Sequence, residues 1–429
     1  MFLFAVHRVE ASLENRDLDR KTLHLRLILS LAVFCGALLV YLVTALLRSH
    51  TASPPTAYFD QLADAFLHGR LYLAQPPSVH DLTRFSGRWY VPFPPLPALL
   101  ILPWVACCGL QHTSTVLFSI LSGAVTAALV YLCLQALTER GWTMLRTRDN
   151  LWLVALFAFG TVHWYMTIDG SVWFLEQVTA VTFVALACLL ALQRASPWWV
   201  GTAVALAMLG RPTIVLTYPL LLAIALQENR PVGQPINRSA LVAWVNRTAV
   251  PILIVVAAML VYNAARFGKA LDFGYQTENV IDFLREPLAR YGQFNLHFVP
   301  HNLQVMLIGL PYWQPQCRLL VPSIDGMSLF LTTPALLYVF RARPRQPVAA
   351  SAWLACGLLL IPLLTYYNTG SWQFGYRFSL DFILPSMVLV AMGSGRRVNW
   401  PERGLIVASI AVNAIGVAWW LHAWCGFPT

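Results

Sequence analysis

Two carboxylates, Asp60 and Asp64, stand four residues apart in the stretch AYFDQLADAFLHGRLYL. A helix over this stretch would bring both to one face. Like charges that close repel, which raises the pKa of one carboxyl unless a cation or substrate intervenes. Such a group suits general-base work on a hydroxyl. The same pair also fits the solvated side of an amphipathic helix lying on a membrane surface. A third acid, Asp169, lies in TVHWYMTIDGSVWFLEQV together with His163 and Glu176. Asp169 precedes Gly170, an arrangement that also caps turns. Glu176 opens an apolar run, where a helix dipole favours an acid.

The cations suggest the complementary chemistry. In HDLTRFSGRWYVPFPPLPALL, Arg84 and Arg88 flank aromatic residues, and Arg266 and Lys269 fall in YNAARFGKALDFGY. Arg377 lies in NTGSWQFGYRFSLD. A guanidinium at headgroup level matches the planar geometry of a phosphate, and it also snorkels to ordinary phospholipid. The shared mix of Trp, Tyr, Asn, Gly and cations resembles a sugar-binding surface, although an interfacial aromatic belt uses many of the same residues. His68, His80, His297 and His301 fall among the same segments. HFVPH is weak as a metal signature, so no cofactor is required, although a divalent metal would find ligands. There is no Walker loop, HExxH or GxSxG motif, which leaves nucleotide-driven transport without support.

The elements that must position these residues follow from composition. Of 429 residues 58% are hydrophobic and 11% charged, against about 45–50% and about 25% in a soluble domain. Runs such as LILSLAVFCGALLVYLVTALL at 27 to 47 are continuously apolar, which excludes the alternating strands of an outer-membrane barrel. The fold class expected is an all-α integral membrane protein with about eleven transmembrane helices. A basic tail at 1 to 26 precedes a single polytopic domain at 27 to 425. Large outer loops are expected at 48 to 114 and 266 to 325. The proline-led run FPPLPALLILP is expected to form a juxtamembrane segment instead of a crossing. The basic linkers, including Arg140, Arg146 and Arg148, then face the cytoplasm together with the amino terminus. In this topology the cytoplasmic side carries the whole formal charge of +10, and the outer side is balanced. The excess is thus an orientation signal, and nucleic acid is not an expected partner. The eight cysteines have no metal spacing. Cys317 and Cys425 fall on the outer side, with nothing in the sequence to place them together.

With these motifs in view, the chain resembles the GT-C superfamily of polytopic glycosyltransferases, especially bacterial relatives of dolichyl-phosphate-mannose protein mannosyltransferases. The resemblance rests on YFDQLADAFLHGRLYL, YVPFPPLPALLILP, Asp169 after the third crossing, YNAARFGKALDFGY and WQFGYRFSLDFILP. It covers most of the chain through loose patterns. It implies an inverting transfer of a hexose or pentose from a polyprenyl-phosphate donor to a glycan, lipid or protein acceptor. The reaction would occur at the outer face of a bacterial inner membrane, within the cell envelope. It further implies Asp60, Asp64 or Asp169 as catalytic acids, and Arg88, Arg266, Lys269 and Arg377 as ligands of the donor phosphate. The sequence departs from the family at one point: the acidic pair that commonly precedes the opening aromatic falls on Pro55 and Thr56. Two further expectations stay open, a transporter or flippase of lipid-linked sugars and a non-catalytic membrane subunit of an envelope-glycan assembly.

Overall fold

The computed structural model describes residues 2–47, 51–228, 238–316 and 318–422. Cys317 and Cys425 lie outside the described residues. α1 (Phe2–Leu47) runs without a break through the basic tail and the first apolar run. The segment that follows α1, called the first outer segment after its expected side, folds into α2 (Tyr58–Leu67), an antiparallel hairpin of β1 (Thr83–Phe85) and β2 (Arg88–Tyr90), and α3 (Leu96–Cys108). Seven helices follow: α4 (Thr115–Glu139), α5 (Thr147–Phe159), α6 (His163–Thr167), α7 (Val172–Leu192), α8 (Pro197–Met208), α9 (Tyr218–Glu228) and α10 (Arg238–Phe267). The segment that follows α10, called the second outer segment after its expected side, holds α11 (Asp282–Tyr291), α12 (Val299–Ile308) and a second hairpin, β3 (Tyr312–Gln314) with β4 (Leu319–Val321). α13 (Leu329–Thr332), α14 (Pro347–Thr365), α15 (Ile383–Gly393) and α16 (Trp400–His422) complete the chain.

Among the described residues, six helices are long and apolar enough to cross a membrane: α1, α4, α7, α10, α14 and α16. The other apolar runs form shorter elements, several interrupted by 3-10 turns at proline, as at Pro212 and Pro334. Helices dominate because backbone N–H and C=O groups in lipid must be satisfied within the segment. α7 is the central helix, with 78% of its apolar window buried against 11% for α1 and 17% for α10. It packs on α4 and α8, which in turn carry α1 and α10. The α8–α10 contact depends on Gly201, where an added Cβ would lie 2.4 Å from the carbonyl oxygen of Thr248.

α3 belongs to a different layer. Its 13 residues span about 20 Å, short of the roughly 30 Å hydrocarbon core. Its buried residues Ala98, Ile101 and Val105 join Tyr58, Phe59 and Leu62 of α2 in a small core that also takes in Val172 and Leu175 at the start of α7. Its amino end is tied beside α8, where the Leu96 amide donates to Leu209 O at 2.9 Å. The proline-led run thus forms a short apolar helix, as α8 and α9 also do.

The two outer segments are joined to each other. The Asp81 amide donates to Asn279 O (3.0 Å) and the Asn279 amide to Leu82 O (2.9 Å). Thr83 Oγ1 also donates to Gly274 O at 2.7 Å. This pairing brings residues about 200 positions apart in the sequence to the amino-terminal end of α7.

Candidate functional site

A cavity of about 280 Å³ opens where the start of α7, the α8–α9 break, the two outer segments and the loop at 366 to 378 meet. Trp173, Phe174, Tyr275, Tyr366, Tyr367 and Trp372 supply much of its wall, and Asp81, Glu176, Arg211, Glu278 and Arg377 supply its charge. An apolar, aromatic wall with a few convergent polar groups is the usual make-up of a small-molecule site.

The two arginines are held differently. Arg211 occupies the turn after α8, with Nε 2.6 Å from Asp381 Oδ2 and one terminal nitrogen 3.0 Å from Glu176 Oε1. Two carboxylates therefore share its charge. Arg377 instead donates to neutral acceptors: Gly370 O from Nε (3.0 Å) and from a terminal nitrogen (2.9 Å), and Gln177 Oε1 (3.1 Å). It has no carboxylate within ion-pair distance among the described residues, and three bonds leave two of its five donors for a ligand. Gln177 links the two systems, since its Nε2 donates to Asp381 Oδ1 at 2.8 Å.

The loop that carries Arg377 is shaped around it. Gly370, Ser371 and Trp372 all have positive φ, at 115°, 39° and 49°. A Cβ at Gly370 would lie 2.7 Å from Arg377 Nε, so the backbone can approach the guanidinium only through glycine. Gln373 braces the loop: its Oε1 accepts from the Arg377 amide (3.0 Å) and its Nε2 donates to Thr369 O (2.9 Å). Strained backbone of this kind persists where surrounding contacts over-determine it.

The remaining acids face the cavity from the two outer segments. Burial raises the pKa of Asp81, while His80, the Trp173 indole and Arg377 favour its anion. The indole donates to Asp81 Oδ2 at 2.9 Å, and His80 Nε2 lies 3.7 Å from the same oxygen. Burial, followed by repulsion from Asp81 and Glu176, holds Glu278 well above the usual carboxylate range. Asp81 has the donors and Glu278 has the repulsion, so the negative charge settles on Asp81 and the proton on Glu278.

Four buried polar atoms of the cavity lining have no hydrogen-bond partner: Glu176 Oε2, Thr213 Oγ1, Glu278 Oε2 and Ser371 Oγ. Buried polar groups in native proteins are nearly always paired. A polar ligand or water in the cavity would give these four atoms partners.

Of the residues singled out from sequence, Arg377, Glu176 and His80 line this cavity, and the others lie outside its lining. Asp60 is buried on α2, where it accepts from the Gln61 amide at 2.8 Å and bonds Ser53; burial pushes its pKa up to about 6. Asp64 faces outward, 3.5 Å from His68 Nδ1 and 3.6 Å from an Arg70 nitrogen. Asp169 accepts from the Ser171 amide (3.0 Å), the Ser171 hydroxyl and the Trp420 indole (2.9 Å). Arg266 donates to Val91 O at 2.6 Å and to Asn263 Oδ1 at 2.7 Å, clamping the end of α10 to the first outer segment. Arg88 is exposed with its guanidinium 4.4 Å from the Tyr72 ring centre, and Lys269 is also exposed. His297 stacks on Tyr291 and His301 lies 3.7 Å from Asp325. Sequence reasoning gave no role to Asp81, Arg211, Glu278 or Asp381. The signal available was Arg211 itself, a cation between Gly210 and Pro212 in the middle of an apolar stretch.

No protein-family model matches the chain, and no curated protein matches it. Among solved structures it is similar to the crystal structure of ArnT from Cupriavidus metallidurans bound to undecaprenyl phosphate, with 13% sequence identity and a TM-score of 0.52. The match covers 91% of this chain and 63% of that one, so the chain spans less than two thirds of the relative's length. The likeness is one of fold: this is a polytopic membrane protein with a GT-C-like architecture.

Proposed function

We propose that the protein is a membrane glycosyltransferase that binds a polyprenyl-phosphate-linked sugar in the cavity at the outer end of α7. It transfers the sugar to a glycan, lipid or protein acceptor at the outer face of a bacterial inner membrane, with the amino terminus in the cytoplasm. The observation that carries this reading is Arg377, buried at the cavity wall with neutral partners and donors to spare. Two supports stand beside it: the GT-C-like fold, and the lipid phosphate bound to the ArnT structure it resembles.

The chemistry is a single displacement. The acceptor hydroxyl oxygen attacks the anomeric carbon, the bond from that carbon to the phosphate oxygen breaks, and the configuration inverts. Charge then builds on the departing polyprenyl phosphate, where the free donors of Arg377 and Arg211 stabilise it. Asp81, the better-supported anion of the acidic pair, takes the acceptor proton. The aromatic wall suits the apolar faces of a sugar ring. Arg88, Lys269 and Arg266 remain candidate phosphate ligands on an approach route, and Asp60, Asp64 and Asp169 remain alternative acids.

A radiolabelled polyprenyl-phosphate sugar offered with membrane acceptors tests the reading. Turnover that survives Arg377→Ala and Asp81→Asn would contradict it. Pro55 and Thr56 at the usual acidic positions favour a second reading, a non-catalytic subunit. Lipid-phosphate binding without turnover, together with a copurifying partner, would select that reading.

A further inference from the structure

The second outer segment divides into two chemically unlike halves. α11 carries Asp282, Arg285, Glu286 and Arg290, which pair with one another across an exposed surface, as in Arg285–Asp282 at 3.0 Å. From residue 299 to residue 324 there is no Asp or Glu, and the single Arg is Arg318. In this second half the large apolar side chains point outward: Ile308 is 65% exposed, Leu310 67%, Trp313 57% and Leu320 63%. A contiguous apolar patch of this kind is not left in water.

We propose that α12 and the β3–β4 hairpin form an interfacial anchor that beds into the leaflet of the bilayer on the side of the outer segments. Three observations commit the patch to lipid. Its composition is that of a headgroup-level segment, with Trp313 and Tyr312 beside Arg318 near the hairpin turn, where a guanidinium meets lipid phosphate. It is continuous with a transmembrane surface, because α12 is bolted to the last turn of α14. Asn302 Nδ2 donates to Leu364 O (2.9 Å) and Tyr366 O (2.8 Å), and α14 presents Leu354 and Ile361 outward. Finally, the opposite face of α12 is already used, since Asn302, Val305 and Met306 are buried against the bundle.

The anchor is also wired to the cavity. The chain leaving β4 reaches Asp325, whose carbonyl accepts from Gln373 Nε2 (2.5 Å) and whose carboxylate accepts from Thr369 Oγ1 (3.2 Å). Met327 O accepts from the Tyr376 amide at 3.1 Å. These bonds hold the loop that carries Arg377, so the depth of the anchor in the leaflet sets the height of Arg377 relative to the phosphate layer. The anchor itself does not depend on what the cavity binds.

The test uses the full-length protein with a fluorescent amino acid incorporated at Leu320, and at Glu286 on α11 as the control, reconstituted in phosphatidylethanolamine–phosphatidylglycerol vesicles. Both positions are exposed, so neither change disturbs packing. At Leu320, brominated acyl chains are expected to quench the probe, and quenching by aqueous iodide is expected to fall several-fold below that at Glu286. Iodide quenching at Leu320 equal to that at Glu286 would overturn the proposal, making the hairpin an aqueous loop. Shielding from both quenchers would overturn it too, because a second protein chain would then cover the patch.

Discussion

Replacing Gln177 with glutamate changes one charge beside Arg377 and little else. In the native protein the Gln177 amide oxygen accepts from Arg377 at 3.1 Å and the amide nitrogen donates to Asp381 at 2.8 Å. Glutamate keeps the shape, turns the first bond into an ion pair and sets a second carboxylate against Asp381. We take an ionised acceptor to strengthen this bond by about 1–1.5 kcal/mol as a lower bound. A unit charge about 4 Å away at an effective dielectric constant of about 20 amounts to about 4 kcal/mol. An incoming lipid phosphate competes for the same guanidinium, and we take about 2–3 kcal/mol as its loss, between these bounds. At about 1.4 kcal/mol per tenfold, binding weakens by about 30- to 150-fold. The assay is titration of purified protein in nanodiscs with undecaprenyl phosphate, with Gln177→Leu as the control that removes the acceptor without adding charge. The control is expected to lose no more than about tenfold. Equal losses in Q177E and Q177L would refute the reasoning, because the effect would then be one of packing and not of charge.

Other outcomes follow from the same structure. Asp60 has a folded-state pKa raised to about 6 by burial, so the folded state holds its proton more tightly than the unfolded chain between about pH 4 and pH 6. Stability therefore falls as pH rises through that window. Asp60→Asn is expected to raise the unfolding temperature at pH 8, by at most about 3 kcal/mol in stability, with little effect at pH 4; a gain independent of pH would contradict this origin. If Asp81 is the base, its raised pKa makes turnover fall on acidification at a higher pH than an ordinary carboxylate would give, and Asp81→Asn removes that limb of the pH–rate profile. Gly201→Val drives a side chain into the Thr248 carbonyl and is expected to destabilise the α8–α10 contact by about 1–3 kcal/mol. A thermal unfolding midpoint unchanged from that of the wild type would count against the close approach.

The membrane fold was legible because its cause is local: uninterrupted apolar runs admit only helices. That the proline-led run stops short, at the 13 residues of α3, was legible through its prolines. Arg377 could be proposed because a cation beside Trp372 and Tyr376 is conspicuous in sequence. The cavity as a whole could not be read. Asp81 and Glu278 meet only because the backbone at 81 to 83 pairs with the backbone at 274 to 279, and no periodicity reports a contact between segments so far apart. Glu176 read as a helix-opening acid, with nothing in the sequence to tie it to Arg211. Their ion pair follows from the packing of α7 on α8, which the sequence does not specify. Asp60 and Asp64 share a helix, as their spacing predicts, yet a helix face toward the protein and one toward solvent look alike until a neighbour is known.

The most direct test of the central claim is a structure of the protein in nanodiscs with undecaprenyl phosphate bound. The account predicts the phosphate within hydrogen-bond distance of the Arg377 guanidinium, beside Arg211 and below the Asp81–Glu278 pair. A phosphate held at the exposed cations Arg88 and Lys269, with the α7 cavity free of lipid, would contradict it.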